Sequence, residues 1–324
     1  MPKVLYMTAP QKIEIREEST SALGPKEARV RMVYSGISHG TEMNVYSGRN
    51  AANFPRRSGY SAVGKIVEAD PEFTKARVGD LVFHHAPHAT EFILSQEEPV
   101  YVLPEGLDPK CGVFAALAGV AFNGVLESQV ALGETAVVFG LGVVGLCASF
   151  LVRRAGAFKV LAVDPLAIRR EAGLWMGVDA VMDPDEGDLV EQVRTLNEDR
   201  LADVVIETSG AISALNGALR IIQNQSTIVP LSWYSTDAAG LNLTGDFHNK
   251  RVQIRVAQGS SVPLYLSSRW TFDRRTRSAL KLLPEMPLQG LITHTVPFED
   301  AQEAYSLVHN CPEKCIQVVF TYGS

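Results

Sequence analysis

The sequence has few cysteines, no block of like charge and no long apolar run. Its four cysteines lie at positions 111, 147, 311 and 315 and include no pair separated by two residues. A structural zinc site needs four closely spaced Cys or His ligands, so we expect no such site and expect reduced cysteines. With 30 basic against 36 acidic residues, a formal net charge of −6, the chain also lacks the basic excess that a nucleic-acid partner needs.

No segment predicts a signal peptide or a membrane span. The first ten residues have no long apolar run after a basic start, which a secretory signal would need. The longest apolar stretch, residues 136–152, contains three glycines and falls short of the about 20 residues of a membrane span. We therefore expect a cytoplasmic protein with a small-molecule substrate and neither a membrane nor a nucleic-acid partner.

The 324 residues suffice for about two domains. The first 120 or so form short β-rich stretches bounded by turn residues, among them 30–35, 62–69 and 89–94. Because helical periodicity is weak there, this half predicts a twisted all-β barrel.

From about residue 124 the pattern alternates between strand and helix. Strands are predicted at 136–139, 160–163, 203–207, 227–231 and 252–256, and helices at 143–155, 168–176 and 211–222. This alternation predicts a parallel sheet of βαβ units covered on both faces. The remaining elements, helices at 274–283 and 300–308 and strands at 292–297 and 316–321, are expected to pack back onto the barrel.

The strongest motif is a glycine-rich turn between a predicted strand and a predicted apolar helix. It consists of Gly140, Leu141, Gly142, Val143, Val144 and Gly145. The first glycine permits the tight turn, the second lets the backbone approach a pyrophosphate, and the third lets helix and strand lie close. The helix N-terminus offers N–H groups to the phosphates. The motif predicts a dinucleotide site.

An aspartate indicates which dinucleotide binds. The next predicted strand ends at Asp164, about twenty residues past the first glycines, where a carboxylate binds ribose hydroxyls and repels a 2′-phosphate. This favours NAD(H) over NADP(H). Arg169 and Arg170 weigh slightly against the preference, and Arg169 is itself a candidate cofactor contact.

Three segments resemble the medium-chain dehydrogenase/reductase superfamily. Residues 35–42, Ser-Gly-Ile-Ser-His-Gly-Thr-Glu, resemble its Cys-Gly-Ile-Cys-Gly-Thr-Asp segment. Residues 59–64, Gly-Tyr-Ser-Ala-Val-Gly, resemble its Gly-His-Glu-x-x-Gly segment, and Val-Gly-Asp-Leu-Val at 78–82 resembles its Val-Gly-Asp-Arg-Val turn. A closer similarity, through Ser-Gly-Arg at 47–49 and Leu-Ile-Thr-His at 291–294, is to the branch that contains bacteriochlorophyllide a dehydrogenase.

The resemblance implies an α/β fold with three parts. A GroES-like β-barrel catalytic domain is expected at 1–123, a Rossmann domain with a doubly wound parallel sheet at 124–264, and at 265–324 a segment that returns to the catalytic domain. It also implies an NAD-dependent oxidoreductase, and a homodimer formed through Rossmann edge strands, for which 252–256 is apolar enough.

The sequence departs from the zinc-binding pattern that the resemblance implies. Where the family has a cysteine, a histidine and a third thiolate or acid, this chain has Ser38 (or His39, if its extra residue is placed differently), Tyr60, and no ligand in residues 115–119. We expect no metal. A site built from His39 with His84, His85 and His88 stays open, although alternating strand geometry would separate their faces.

Without a metal, side chains must exchange the proton of the reacting oxygen. Tyr60 is the first candidate because it stands at a zinc-ligand position, and His39 and Glu42 are the next. For Tyr60 and His39, an ordinary structural role is an equally serious alternative.

The resemblance implies further cofactor contacts in the loops after the strands. It places Thr208 and Ser209 at the adenosine side, Pro230, Leu231 and Ser232 beside the nicotinamide ribose, Ala257, Gln258 and Gly259 near the carboxamide, and Gln317 at the pyrophosphate.

Three activities remain open on the sequence alone. The first is hydride transfer between nicotinamide and a secondary alcohol or carbonyl, with a tetrapyrrole-like substrate as a minority view. The second is zinc-free reduction of a conjugated double bond, and the third is non-catalytic sensing of NAD(H).

Overall fold

The structure is a computed structural model that describes residues 1–19, 22–49, 53–235 and 237–323. The strands within these ranges are β1 (Lys3–Ala9), β2 (Lys12–Glu17), β3 (Glu27–Gly36), β4 (Arg56–Arg57), β5 (Ala62–Ala69), β6 (Leu81–His84), β7 (Glu91–Ser95), β8 (Tyr101–Val102), β9 (Thr135–Phe139), β10 (Lys159–Val163), β11 (Ala180–Met182), β12 (Ala202–Glu207), β13 (Ile222–Pro230), β14 (Gln253–Ile254), β15 (Ile292–Pro297) and β16 (Gln317–Thr321). The α-helices are α1 (Thr41–Tyr46), α2 (Ala115–Ser128), α3 (Val143–Ala155), α4 (Ala167–Trp175), α5 (Leu189–Leu196), α6 (Ile212–Ile221), α7 (Asp246–Asn249), α8 (Phe272–Leu282) and α9 (Ala301–Asn310). Short 3-10 helices span Pro109–Phe114, Leu264–Leu266, Leu283–Glu285, Leu288–Leu291, Phe298–Asp300 and Pro312–Lys314.

The chain divides into two compact units. The β unit comprises Met1–Ala116 and Thr276–Ser324, and the α/β unit comprises Leu117–Arg275. The sequence prediction sets these boundaries at 123/124 and 264/265. The boundaries in the structure fall elsewhere because each lies inside a helix, one in α2 and one in α8. The change in amino-acid pattern along the chain therefore does not coincide with the change from one unit to the other.

Antiparallel pairing organises the β unit. Strand β3 pairs with β5 and β7, β5 with β6, and β6 with β8, while β1 pairs with β2 and β4. Close approach of β3 and β5 requires Gly64, because a Cβ there would stand 2.4 Å from Val30 Cγ1. Pairing of β16 with β3 brings the C-terminal segment into the same sheet.

A parallel sheet organises the α/β unit, in the order β11-β10-β9-β12-β13-β14. The residues of β9 are all buried, as expected for a strand covered on both faces. Chain order reverses between β9 and β12, which is the topological switch point where such sheets bind ligands. The α/β fold class with a parallel Rossmann sheet is confirmed, and helix 143–155 has its predicted bounds.

Other elements differ from their predictions. Strand β14 has two residues instead of the predicted 252–256. The N–H of Val252 bonds the Phe247 carbonyl and not β13, whereas Arg255 and Ala257 still donate to the Ile228 and Pro230 carbonyls beyond the end of β14. Strand β11 and helix α5 were not predicted, since their short apolar patterns lie in polar surroundings.

One helical stretch, Pro109–Ser128, is long and apolar enough to span a membrane by length and composition. The sequence prediction overlooked it. Because 78% of its most apolar window is buried within the protein, it is typical of a core helix.

Candidate functional site

The glycine-rich turn has the geometry that a pyrophosphate site needs. Gly140 follows β9 with φ of +84°, a conformation that favours glycine. A Cβ on Gly145 would stand 1.8 Å from the Gly140 carbonyl oxygen, whereas a Cβ on Gly142 would meet nothing within 4 Å. The turn is therefore tightly packed beneath Gly145 and open above Gly142, where a phosphate can approach the backbone at the start of α3.

Asp164 lies at the end of β10 and holds this turn in place. One carboxylate oxygen accepts the N–H of Leu141 at 2.7 Å, and the other accepts the N–H of Leu166 at 2.8 Å. The residue is 2% exposed, and Nη1 of Arg169 lies 3.9 Å from its Oδ2. A carboxylate has about four lone-pair sites, so acceptor capacity remains for a ribose.

A buried glutamate organises the loop after β12, which lies next to the glycine-rich turn. Glu207, the last residue of β12, accepts the N–H of Ser209 at 2.6 Å and the hydroxyl of Tyr234 at 2.6 Å. Burial raises the pKa of Glu207, and the hydrogen bonds from Ser209 and Tyr234 offset part of this rise. Thr208 donates its hydroxyl to the Gly140 carbonyl at 2.6 Å, which fixes the first glycine.

The loops that follow β13 and β14 lie at the same edge of the sheet, because all six strands run parallel. Pro230 ends β13, and its carbonyl accepts the N–H of Ala257 at 3.0 Å. Leu231 packs against α2 at Gly124, and Ser232 lies beside Gly210. Gln258 is exposed and bonds Ser260 through its side-chain oxygen.

In the β unit, two hydroxyls occupy the positions where the resemblance implies zinc ligands. Tyr60 donates its hydroxyl to Ser38 Oγ at 2.8 Å. Burial raises the pKa of Tyr60, and the charge of Glu42 adds to the rise, although the bond to Ser38 opposes it. Gly59 lets this segment lie close to His88, because a Cβ there would stand 2.6 Å from the His88 ring. The arrangement offers a protonated phenol as donor at neutral pH.

Glu42 lies inside the β unit and all its acceptor atoms are engaged. Its Oε1 accepts the Ser38 N–H at 2.9 Å, and its Oε2 accepts the Ser58 hydroxyl at 2.9 Å and the Tyr305 hydroxyl. Burial alone would raise the pKa of Glu42, but His88 and these donors outweigh burial and hold it below its usual value. Its surroundings favour a positioning role over contact with substrate.

The same cluster contains a serine, a histidine and an acid in hydrogen-bonded sequence. His88 lies 3.1 Å from Glu42 Oε2 through Nε2 and 2.6 Å from Ser35 Oγ through Nδ1. Ser35 and His88 are fully buried and Ser35 also bonds the Tyr322 hydroxyl at 2.6 Å. Because Ser35, His88 and Glu42 are all buried, we assign this order of groups to stabilisation of the fold and not to a hydrolytic triad.

The other histidines lie apart from this cluster. His84 stacks on Phe92, His85 is exposed with Nδ1 3.3 Å from the Tyr60 carbonyl oxygen, and His39 is half-buried beside Ser38. Among the described residues, no three His, Cys, Asp or Glu side chains come close enough to hold a metal ion. The alternative four-histidine site is therefore not assembled.

Gln317 is buried in β16, and its Nε2 donates to the carbonyls of Ile37 at 3.0 Å and Val318 at 2.7 Å. Its Oε1 is buried without a partner. These bonds fix the backbone just before Ser38. The predicted pyrophosphate contact stays a prediction.

Two families match adjoining parts of the chain. The one described as an alcohol dehydrogenase GroES-like domain matches residues 24–148, and the one described as a zinc-binding dehydrogenase matches residues 143–271. Together the two matches span residues 24–271 and support similarity to the zinc-type alcohol dehydrogenase-like superfamily. The GroES-like match covers most of the first segment of the β unit and continues into the α/β unit.

Individual relatives cover nearly the whole chain. D-guloside 3-dehydrogenase of Escherichia coli K12 is 29% identical over 99% of this chain and 100% of its own length. Among solved structures, an alcohol dehydrogenase of Escherichia coli CFT073 complexed with NADH superposes with a TM-score of 0.82 at 18% identity, covering 99% of each chain. A Sinorhizobium meliloti protein bound to NADP gives the same TM-score at 20% identity and the same coverage. Both structures share the fold.

Sequence reasoning missed residues that shape the site from within. Glu207, Tyr234 and Asn123 were not predicted, nor was the bond between Ser38 and Tyr60. The one sequence signal that could have found Glu207 is a glutamate at the end of an otherwise apolar predicted strand.

Proposed function

We propose that the protein is a zinc-independent, NAD(H)-dependent dehydrogenase that interconverts a secondary alcohol and its carbonyl. The observation that carries the proposal is the Tyr60–Ser38 hydroxyl pair, bonded at 2.8 Å where zinc ligands are implied. The 29% identical relative named D-guloside 3-dehydrogenase supports a polyol or sugar as the alcohol.

The α/β unit would hold the cofactor. The open face of Gly142 and the tight packing of Gly145 fit a pyrophosphate, and Asp164 has acceptor capacity for a ribose. Arg169, Thr208, Ser209, Pro230, Leu231, Ser232, Ala257, Gln258 and Gln317 are the further proposed contacts. When bound, the nicotinamide supplies or accepts the hydride. The Asp164 charge disfavours a 2′-phosphate, so NAD(H) is the proposed form.

The β unit would handle the proton. In carbonyl reduction the hydride goes to carbon and the Tyr60 hydroxyl donates its proton to oxygen. Its raised pKa keeps it protonated at neutral pH. The single phenolic proton, which Ser38 Oγ accepts in the structure, would turn to the carbonyl oxygen when substrate binds, and the Ser38 hydroxyl would then donate to the phenol oxygen. Glu42 fixes Ser38 through the backbone N–H. His39, next to Ser38, is the proposed group that exchanges the proton with solvent.

The test mixes purified protein and NAD(H) with each member of a panel of polyols, sugars, other secondary alcohols and enones. Turnover is followed by the absorbance of the reduced cofactor. We expect turnover of an alcohol or its carbonyl with NAD(H), at a rate unchanged by EDTA and with far less than one zinc per chain by elemental analysis. Turnover of enones alone would assign the double-bond reductase instead. Cofactor binding without turnover of any panel member would assign a sensor.

We also propose a cytoplasmic homodimer without nucleic-acid or membrane partners. Beyond the edge strand β14, Val256 is 67% exposed, which supports burial against a second copy.

A further inference from the structure

Several hydrogen bonds hold one loop at the carboxyl-terminal edge of the parallel sheet. Residues 257–261 follow β14, and the Ala257 N–H continues the pairing with β13 beyond the end of β14 by bonding the Pro230 carbonyl. The turn after β9 and Asp164 at the end of β10 lie on one side of the switch point, and β13 and β14 lie on the other. Because a dinucleotide lies across this point, the loop faces the half opposite the adenosine, which is the nicotinamide half.

Two buried side chains bind the carbonyls of this loop. Nδ2 of Asn123 donates to the Gln258 carbonyl at 3.0 Å. Arg275 donates through Nη1 to the Ser261 carbonyl at 2.6 Å and through Nη2 to the Gly259 carbonyl. Asn123 is 1% exposed and Arg275 is 2% exposed. Burying a guanidinium is costly unless its hydrogen bonds are made, so these bonds fix the loop and the arginine together.

One face of α2 forms the base of the loop. Val120, Asn123 and Gly124 share this face because they are three and four residues apart. A Cβ on Gly259 would stand 3.5 Å from Val120, and a Cβ on Gly124 would stand 2.4 Å from Leu231. Contact with helix α2 thus fixes the position, relative to the sheet, of both the loop after β13 and the loop after β14.

The anchored carbonyls fix the direction of the neighbouring N–H groups. In a trans peptide the C=O and the following N–H point in opposite directions. With the Gln258 carbonyl directed at Asn123, the N–H of Gly259 points away from α2. The loop therefore presents a preformed backbone donor on its outer side.

We propose that Asn123 and Arg275 are positioning residues, which hold this loop in the shape that receives the nicotinamide half of the cofactor. The proposal rests on the proposed function. It assigns both residues to the nicotinamide end alone, with no part in binding the adenosine and pyrophosphate.

The test compares the affinity of two ligands for each variant by calorimetry. NADH contains the nicotinamide, and ADP-ribose contains every other part of the cofactor. For Asn123→Ala and Arg275→Lys we expect NADH affinity to fall about tenfold or more, because the loop is no longer held in the shape that receives the nicotinamide half and must be ordered when the cofactor binds. ADP-ribose affinity should stay within about twofold of the wild type.

Two matched controls remove similar bonds elsewhere in the same unit. Nδ2 of Asn216 donates to the Gly240 carbonyl at 2.8 Å, and Arg274 donates to the Arg269 carbonyl. Asn216→Ala and Arg274→Lys should leave both affinities unchanged. Circular dichroism and thermal unfolding establish that each variant is folded.

The outcomes separate the two proposals. A selective loss of NADH affinity in folded variants supports the positioning role. Equal losses for both ligands, or none for either, overturn it while leaving cofactor binding by the wild type intact. If the wild type itself bound neither NADH nor NAD⁺, the proposed function would fail first.

Discussion

At the scale of single residues, the candidate site contains a partly accessible phenol and a set of buried polar side chains behind it. Tyr60 is half-buried with a hydroxyl bonded to Ser38, whereas Glu42 and His88 are enclosed behind them. In the proposed function Tyr60 acts on the ligand, and Glu42 and His88 fix the orientation of the residues around it. Mutations in the two sets should therefore have different signatures.

Tyr60→Phe removes the proposed donor and keeps the ring. We expect kcat to fall on the order of 10²-fold with NADH affinity unchanged, since proton transfer contributes about that much. Steady-state kinetics and an NADH titration measure both. Tyr6→Phe, which removes a hydroxyl bonded to Glu18 at the surface, is the control and should leave kcat as it is. Unchanged turnover in Tyr60→Phe would remove Tyr60 from the mechanism.

Asp164→Asn removes the charge that disfavours a 2′-phosphate. The ratio of kcat/KM for NAD to that for NADP should fall about tenfold, equivalent to roughly 1.4 kcal/mol. Asp183→Asn, which removes a partner of Arg170 at 2.7 Å, serves as the control. A ratio that moves equally in both variants would argue against a specific role for Asp164.

Glu42→Gln tests the buried support through the pH dependence of stability. The folded-state pKa of Glu42 is lowered, so its contribution is complete above the unfolded pKa of about 4.3 and is lost as pH falls through the folded value. We expect the variant to be less stable by about 3 kcal/mol at neutral pH, with the difference narrowing below about pH 4.3. Urea unfolding at several pH values measures this.

The control for this experiment is Glu14→Gln. Glu14 also has a lowered pKa, because of its bonds to Arg16 and Lys12, but its side chain is 38% exposed. Solvent screens such pairs, so its replacement should change stability little at any pH. A pH-independent effect of Glu42→Gln would show that packing, and not charge, is what Glu42 contributes.

At the scale of elements, two glycines in the turn from β9 into α3 are expected to have different roles, one in folding and one in cofactor binding. The Cβ of Gly145→Ala would meet the Gly140 carbonyl at 1.8 Å, so α3 must move, whereas that of Gly142→Ala meets nothing. We expect Gly145→Ala to lose about 1–3 kcal/mol of stability together with NADH affinity. Gly142→Ala should lose NADH affinity alone. Thermal unfolding and NADH fluorescence distinguish them, and two variants with the same profile would contradict the assignment.

At the scale of the whole molecule, we propose that a second copy of the chain covers the edge of the parallel sheet at β14. Strand β14 has only two residues, and Val256 just beyond it is exposed. We expect light scattering after gel filtration to give twice the mass of the chain, and Val256→Lys to shift the protein toward the monomer. A wild-type monomer at high concentration would exclude the dimer.

The sequence alone determined the class of each half and the nucleotide motif. Continuous apolar runs such as 136–139 indicate a doubly covered strand, and a glycine turn followed by an apolar helix needs no distant contact to be recognised. Local backbone requirements, such as the tight turn at Gly140, are written in neighbouring residues. The fold class and the place of the turn followed from these.

Only the tertiary structure decided what the remaining side chains do. Glu42 is bonded to Tyr305, which is far away in sequence, and Asn123 is bonded to Gln258. Such partners are chosen by the pairing of β16 with β3 and by the packing of α2, and no spacing along the chain encodes them. Burial also came only from the tertiary structure: Glu42 is enclosed by hydroxyls and a histidine, which is why we propose a supporting role for it and a donor role for Tyr60.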